Sequence, residues 1–339
     1  MANYNHARHL GESLGGVRGQ TRAADEIVII DDGSTDGSIG VIDSFASSHR
    51  HVRVLRNSQR LGVQESIARV LPHVASDYLV WTAADDRLLP NFLEKSMAVL
   101  DRHPEAALCF SETTQLLGDT GGSLRFATDP ALRRIFDLSD LPPFLQPEDL
   151  IARMKRAYLP LAANTVIVKR EALLSLRGYP RELEWLADSF LYAALALRHG
   201  ACVVPETLAL IRTIPGSYSQ SMHDPARQPL VLGRMLDLLA TPEYADIRRA
   251  FRACPSNFSP AGKFIFRAFL RRPRDWDLFV SYLWGKVIEH KLQHRLSWIG
   301  VLMSGAFHLP LVIPHHYRRR VFPKALRRMY YRVRSWILS

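Results

Sequence analysis

The sequence predicts an α/β protein with a mostly parallel sheet and helices on both faces. Short apolar runs alternate with segments of helical periodicity through the first half of the 339-residue chain, a pattern typical of parallel sheets. Two of the runs end in paired aspartates, Asp31-Asp32 and Asp85-Asp86. Because ligands bind outside the carboxyl ends of parallel strands, both pairs are candidate site residues.

Seven elements are predicted before residue 112. The strands are short and apolar, as expected for strands buried on both faces, and the helices have apolar residues three and four positions apart. Pro90 suits the first turn of the third helix. In chain order these elements are strand 26–30, helix 34–48, strand 52–55, helix 62–74, strand 78–82, helix 90–103 and strand 106–111.

Beyond residue 111 the pattern is less regular. Residues 112–150 lack a clear period and are interpreted as an insertion or lid. The elements that follow are a strand at 164–168, a helix at 184–199, a strand at 203–210, an irregular stretch at 213–229 and helical sequence from 230. We therefore expect a catalytic-type domain over 1–230 and a helical, basic C-terminal region over 231–339.

The basic charge lies in the last quarter of the chain. Residues 260–339 hold 16 Lys and Arg against 3 Asp and Glu, a net charge of +13, whereas the whole chain carries +11. Interleaved tryptophans and tyrosines favour attachment of this region to a membrane surface. The alternative is a set of packed helices with a solvated cationic face. Nucleic acid is not an expected partner, because no recognised binding motif is present.

Location is inferred from three further features. The cysteines, Cys109, Cys202 and Cys254, are odd in number and have no metal-ligand spacing, which favours a reducing compartment. The first residues lack a signal-peptide pattern. Residues 296–314 have no formal charge but contain two glycines and two prolines, so an interfacial or re-entrant segment is expected rather than a spanning helix. The predicted location is the cytoplasm, at the inner face of the membrane.

Three acidic positions could carry chemistry. Asp31-Asp32 open a Gly-rich turn, which suits contacts to a base or ribose but also suits simple helix capping. Asp85-Asp86 would repel each other unless a cation or donors neutralise them, although a solvated turn is the alternative. Asp188 lies in apolar sequence, where it is either a helix-start charge or a cleft carboxylate with a raised pKa.

Together these positions resemble the family 2 glycosyltransferases of the GT-A, Rossmann-like fold. The resemblance covers about residues 1–220. It rests on the run of residues 3–8 (NYNHAR), residues 20–38 with the run DDGSTDGS at 31–38, Asn57 with 60–62, Asp85-Asp86 with Pro90, and Arg177-Gly178-Tyr179 ahead of Asp188. The family's first strand is apparently truncated here, and Ala83 stands where its first acidic residue would be.

The resemblance implies a role for each candidate residue. Tyr4, Asp31, Asp32, Arg60 and Asp85 would bind the nucleotide-sugar. Asp86 would hold Mn²⁺ or Mg²⁺, with Asp85 as a second ligand, and Asp188 would be the catalytic base.

The implied function is that of an inverting enzyme of hexosyltransferase type. It would transfer sugar from a nucleotide-diphosphate donor to the hydroxyl of a saccharide or lipid-linked acceptor, in cell-surface polysaccharide or glycolipid assembly. Two alternatives stay open: an inactive nucleotide-sugar-binding scaffold and a nucleotidyltransferase. The latter would normally require a Gly-rich, basic phosphate loop, which the sequence lacks.

Overall fold

The protein, represented by a computed structural model, divides into two compact units. The first comprises Met1–Arg153 and Leu159–Asp224, and the second comprises Met154–Tyr158 and Pro225–Ser339. The structure describes residues 1–116, 138–155, 163–176, 179–212, 224–254 and 272–282, with a few single or paired positions between them.

A three-stranded parallel sheet contains the first acidic pair. Strands β1 (Ala2–Asn3), β2 (Ile27–Asp31) and β3 (Val52–Arg56) lie side by side in that order. The inward side chains of β2 are apolar and pack with two helices, which drives this layer together. The helices are α1 (Ala7–Arg18), which the sequence did not predict, and α2 (Ser38–Ser47).

The other sheet of the first unit has six strands and mixed pairing. Its order is β4-β8-β6-β9-β5, and β7 also pairs with β9. Only β6 and β9 are parallel, whereas the other four pairings are antiparallel. The strands are β4 (Tyr78–Val80), β5 (Arg87–Leu88), β6 (Leu108–Leu116), β7 (Phe144–Leu145), β8 (Val166–Lys169) and β9 (Ala201–Arg212). The α/β class is thus confirmed, but the sheet structure is less parallel than predicted.

Strand β1 joins the two sheets. Ala2 pairs with Ile30 on one side and forms a parallel bridge with Ala83 on the other. The first strand is therefore present as a two-residue segment rather than missing. Because Ala83 precedes the second acidic pair, this junction brings the ends of β2 and of the β4 segment to neighbouring positions.

The remaining helices of the first unit lie near the predicted places, with shorter bounds. Helix α3 (Val63–Val70) continues as a 3₁₀ turn, Leu71–His73, since Pro72 cannot donate the next helical hydrogen bond. The others are α4 (Phe92–Leu100), α5 (Pro147–Met154), α6 (Arg170–Ser175) and α7 (Ala187–His199). Helix α7 follows a separate 3₁₀ segment, Arg181–Leu186, so the predicted helix from residue 184 begins later.

The second unit is helical where it is described. Helices α8 (Gln228–Leu239) and α9 (Ala245–Ala253) contact each other, and residues 276–282 are also helical. A buried carboxylate, Asp275, accepts a hydrogen bond from Arg248 at 2.9 Å and one from Arg272 at 2.8 Å, which ties the last described segment to α9.

None of the helices in the described part of the chain is both long and apolar enough to cross a membrane. The ambiguous segment 296–314 lies outside the described residues, as does most of the 112–150 insertion.

Candidate active site

The first acidic loop is built by tight contacts between two chain segments. Asp31 ends β2 and is buried, and its carboxylate accepts from Asn3 Nδ2 at 2.8 Å and from the Ser34 backbone N–H at 2.9 Å. Gly33 has a φ of 75°, and a Cβ there would lie 2.8 Å from the Gln59 carbonyl carbon. Only glycine combines this conformation with this approach, so the glycine fixes the distance between the loops.

Asp32 holds the loop that precedes α3, which contains Leu61 and Gly62. One carboxylate oxygen accepts from Asn57 Nδ2 at 2.8 Å, from the Leu61 N–H at 2.8 Å and from Ser66 Oγ at 3.2 Å. The other accepts from the Gly62 N–H at 2.8 Å. These donors neutralise a buried charge and fix the start of α3. The carboxylate of Asp32 thus shapes the loops where the family resemblance predicts that the nucleotide binds.

Tyr4 and Arg60 meet across the two loops. The Arg60 guanidinium carbon lies 4.2 Å from the centroid of the Tyr4 ring, a cation–π contact. Tyr4 is half-buried and Arg60 is exposed. The structure therefore groups Tyr4, Arg60 and Asp31-Asp32 around one loop pair.

The second acidic pair is asymmetric. Asp86 is buried, and its carboxylate accepts from Asn164 Nδ2 at 2.9 Å and from the Arg212 backbone N–H at 2.9 Å. Burial raises the pKa of Asp86 to about 7, and the adjacent Asp85 charge adds to the rise. Asp85 is also buried, yet no described residue donates a hydrogen bond to its carboxylate.

These two carboxylates fit a hard divalent cation. Such ions use one or two carboxylates together with phosphate oxygens and water, and the unsatisfied carboxylate of Asp85 offers the needed oxygens. The described residues contain no group of three or more His, Cys, Asp or Glu side chains that could hold a metal. A cation here would accordingly depend on non-protein ligands as well.

Asp188 is the second residue of α7 and is linked to Asp86 through one turn. The turn Ala163–Thr165 precedes β8. The Ala163 N–H donates to the Asp188 carboxylate, while the next residue, Asn164, donates to Asp86. The Ser189 N–H donates to Asp188 at 2.7 Å. Burial raises the pKa of Asp188 to about 6, despite these hydrogen bonds. Two carboxylates about a hundred residues apart in sequence are thereby held by consecutive residues.

Three residues of this site were not predicted. Asn164 donates to Asp86, as described above. Arg212, the last residue of β9, donates through Nε to the Asp85 carbonyl at 3.1 Å and through its guanidinium to Glu12 at 2.8 Å. The available signal for Arg212 was a single cation ending the apolar run 208–211. Asn164 and Glu12 have no comparable signal.

The first part of the chain, which contains these acidic loops, is similar to known proteins. Residues 1–122 match the model of glycosyl transferase family 2. An uncharacterized protein of Mycobacterium tuberculosis is 27% identical over 213 residues, covering 62% of this chain and 56% of that protein. Glycosyltransferase GlyG of Streptococcus pneumoniae serotype 4 is 30% identical over 91 residues, covering 27% of this chain and 30% of GlyG.

Solved structures share the fold. TarS of S. aureus, residues 1–349, in complex with UDP-GlcNAc, superposes with a TM-score of 0.56 and 13% identity, covering 88% of this chain and 91% of that one. The N-terminal part of this chain is therefore similar to family 2 glycosyltransferase domains, and the chain shares the GT-A fold of the solved structure. The matched region spans little more than half of the mycobacterial relative.

Replacing Asp32 tests the loop-holding role. Asp32→Asn removes one acceptor oxygen, so at least one of its N–H partners loses its hydrogen bond. We expect a loss of about 2–3 kcal/mol in the free energy of unfolding, measured by urea denaturation. Asp77→Asn, at an exposed aspartate, is the matched control and should change stability by less than about 0.5 kcal/mol. Equal effects of both substitutions would contradict the role.

Proposed function

We propose that the chain transfers a sugar from a nucleotide-diphosphate donor to an acceptor hydroxyl, with inversion at the anomeric carbon. The observation that carries the proposal is the shared turn at residues 163–165, which holds Asp86 and Asp188 through consecutive residues. In an in-line displacement the general base must reach the attacking hydroxyl on the side of the anomeric carbon opposite the leaving group, so the base and the site of the diphosphate must be held in a fixed relation. The TarS complex contains UDP-GlcNAc, which supports the donor class.

In this proposal the nucleoside end of the donor lies against the first loop pair. Tyr4 and Arg60 offer a ring and a guanidinium for contact with the base. Asp31 and Asp32 keep the loops in place, because their carboxylates are occupied by protein donors. Asp85, whose carboxylate lacks a described donor, is assigned to the ribose or the metal.

Asp86, with Asp85, is proposed to hold Mn²⁺ or Mg²⁺. A bound divalent ion would stabilise the negative charge that develops on the departing diphosphate. Arg212 lies against the same pair, donating to the Asp85 carbonyl and, through its backbone N–H, to Asp86. Its contribution is to hold the Asp86 carboxylate and the Asp85 backbone in place and to add positive charge beside the pair.

Asp188 is proposed to act as the general base. A bond forms between the acceptor oxygen and the anomeric carbon while the bond to the diphosphate oxygen breaks, and the acceptor proton moves to the Asp188 carboxylate. With a pKa of about 6, Asp188 is mainly ionised near neutral pH yet more basic than an ordinary aspartate, which suits the role. Transfer should increase as the pH rises through about 6.

The proposed setting is cell-surface polysaccharide or glycolipid assembly at the inner face of the membrane, with a saccharide or lipid-linked acceptor. Two observations support contact with a membrane. The sequence over 260–339 has a net charge of +13. In the helical segment 276–282, Trp276 and Val280 are 50% and 61% exposed and lie one helical turn apart. Exposed apolar side chains beside basic sequence suit an anionic lipid surface.

The donor is best identified by a screen of UDP-, GDP- and dTDP-sugars. A donor that binds only the folded protein raises its melting temperature, and released nucleoside diphosphate then measures turnover with Mn²⁺. Binding without any turnover, with or without candidate acceptors, would favour the inactive scaffold instead.

Asp188→Asn should abolish transfer while preserving donor binding. Loss of a general base typically costs 10²–10⁴-fold in rate, and nucleotide affinity measured by calorimetry should stay within about threefold of wild type. Because the folded-state pKa exceeds the ordinary value of 3.8, the ionised side chain destabilises the fold. The variant should therefore be more stable than wild type at pH 8, by about 2 kcal/mol.

This stability gain should shrink as the pH falls below about 6, since wild-type Asp188 is then protonated. Chemical denaturation at pH 8 and pH 5 measures the difference. Unchanged turnover in Asp188→Asn would rule out the base assignment.

Asp86→Ala should remove metal-dependent nucleotide binding. We expect nucleoside diphosphate affinity in Mn²⁺ to fall at least about tenfold, to the level that wild type shows in EDTA. Isothermal titration calorimetry with and without Mn²⁺ gives both values. Asp101→Ala, which removes a surface ion pair with Arg22, is the control and should bind as wild type does. Equal affinities for Asp86→Ala and wild type in Mn²⁺ would contradict the metal assignment.

The membrane contact is tested with the full chain and vesicles. Binding to vesicles containing phosphatidylserine should exceed binding to phosphatidylcholine alone and should weaken with salt. Trp276→Ser combined with Val280→Ser should lower vesicle affinity about tenfold or more, because two apolar insertions are lost. Leu174→Ser, at a residue that is 42% exposed in the first unit, should have no effect. Salt-insensitive or lipid-independent binding would contradict the proposal.

A further inference from the structure

Glu184 has an unusual backbone conformation just before the helix that carries Asp188. Its φ is 49° and its ψ is −121°, close to the first central position of a type II′ turn. Glycine dominates this position because a Cβ is disfavoured there. A glutamate in this conformation must be held by its surroundings, and such strain is often found at functional sites.

Two hydrogen bonds to the Glu184 carbonyl stabilise this backbone conformation. It accepts from Gln64 Nε2 at 2.7 Å and also from the backbone N–H of Ala187. Ala187 is the first residue of α7, and Asp188 is the second. The same carbonyl therefore receives one donor from a distant helix and one from the helix start that presents Asp188.

Gln64 in turn belongs to the nucleotide-side segment. It lies in the first turn of α3, and the Gly62 N–H immediately before this helix donates to Asp32. The Gln64 amide is half-buried and also donates to the Tyr218 hydroxyl at 3.3 Å. The backbone that carries Gln64 therefore follows directly on the loop that Asp32 holds, and the amide itself is held by the Glu184 carbonyl and the Tyr218 hydroxyl.

We propose that Gln64 is a positioning residue that couples the nucleotide-side loop to the start of α7. It thereby places Asp188 where its carboxylate can take the proton of the attacking acceptor hydroxyl. This inference rests on the proposed function. It identifies the hydrogen bond from Gln64 Nε2 to the Glu184 carbonyl as a direct link between the nucleotide-side loop and the start of the helix that carries Asp188.

A second contact joins the same two elements and provides a matched control. Arg181 pairs with Glu65, the neighbour of Gln64, but both side chains are substantially exposed, at 56% and 37%. Glu65 also pairs with Arg69 within α3. Exposed ion pairs of this kind contribute little to stability, so Arg181→Ala should leave the start of α7 in place.

Amide hydrogen exchange of the full chain tests the link without any donor. Gln64→Ala, and the isosteric Gln64→Glu, which cannot donate to a carbonyl, should raise the exchange rate at Ala187 and Asp188 at least tenfold. Arg181→Ala should not. In the Gln64→Ala background, Glu184→Gly should return exchange toward the wild-type rate, because glycine adopts the positive φ without support. Melting temperatures confirm that each variant is folded.

Two outcomes would overturn the inference at this level: unchanged exchange in both Gln64 variants, or an equal increase in Arg181→Ala. Turnover of the UDP-, GDP- and dTDP-sugar panel with Mn²⁺ provides the second readout. Gln64→Ala should lower kcat at least tenfold and leave the donor KM within about twofold. The kcat is expressed per folded molecule, because an unfolded fraction alone would lower the apparent kcat without changing KM.

The positioning role of Gln64 and the proposed transferase function are overturned by different results. A donor that wild type and Gln64→Ala turn over equally would overturn the positioning role and leave the proposed function intact. Absence of turnover by wild type across the panel would contradict the proposed function, and the exchange rates at Ala187 would then decide alone whether Gln64 holds the start of α7.

Discussion

The site depends on how buried carboxylates are satisfied. Asp32, Asp86 and Asp188 are all supported by N–H donors rather than by direct ion pairs with neighbouring side chains. Neutral donors fix the direction of a carboxylate but compensate its charge only in part. This is why burial can leave the pKa of Asp86 near 7 and that of Asp188 near 6. Both raised values are consistent with the proposed roles of Asp86 as a cation ligand and Asp188 as a proton acceptor.

Several of the donors come from short loops and turns. The loop before α3 supplies the backbone N–H groups of Leu61 and Gly62 to Asp32. The turn before β8 supplies the Ala163 backbone N–H to Asp188 and the Asn164 side-chain amide to Asp86. Turns can present N–H groups because their backbone donors are not used within a helix or sheet. The sheets therefore determine where the turns lie, and the turns determine where each carboxylate points.

The sequence predicted features that depend on neighbouring residues and missed those that depend on residues far apart in the chain. Strand β2 ending at Asp31 and β4 ending before Asp85 could be predicted, because hydrophobic runs and strand-end carboxylates are local patterns. Asn164 and Arg212 contact Asp86 across 78 and 126 residues, and Gln64 contacts Glu184 across 120. No local pattern encodes such pairs. The antiparallel pairings of β8 were missed for the same reason, since pairing direction depends on distant partners.

Ala83 shows how the fold tolerates the departure from the family's acidic motif. Its contacts are made by the backbone: it bridges Ala2, and its carbonyl accepts from Ser13 Oγ at 3.0 Å. The following Ala84 is fully buried in the core of the first sheet. A carboxylate at position 83 is therefore unnecessary for joining the two sheets. The negative charge of this segment lies on Asp85 and Asp86. Asn164 and the Arg212 backbone N–H hold the Asp86 carboxylate in place. Any cation affinity of this segment must therefore come from the side chains of Asp85 and Asp86.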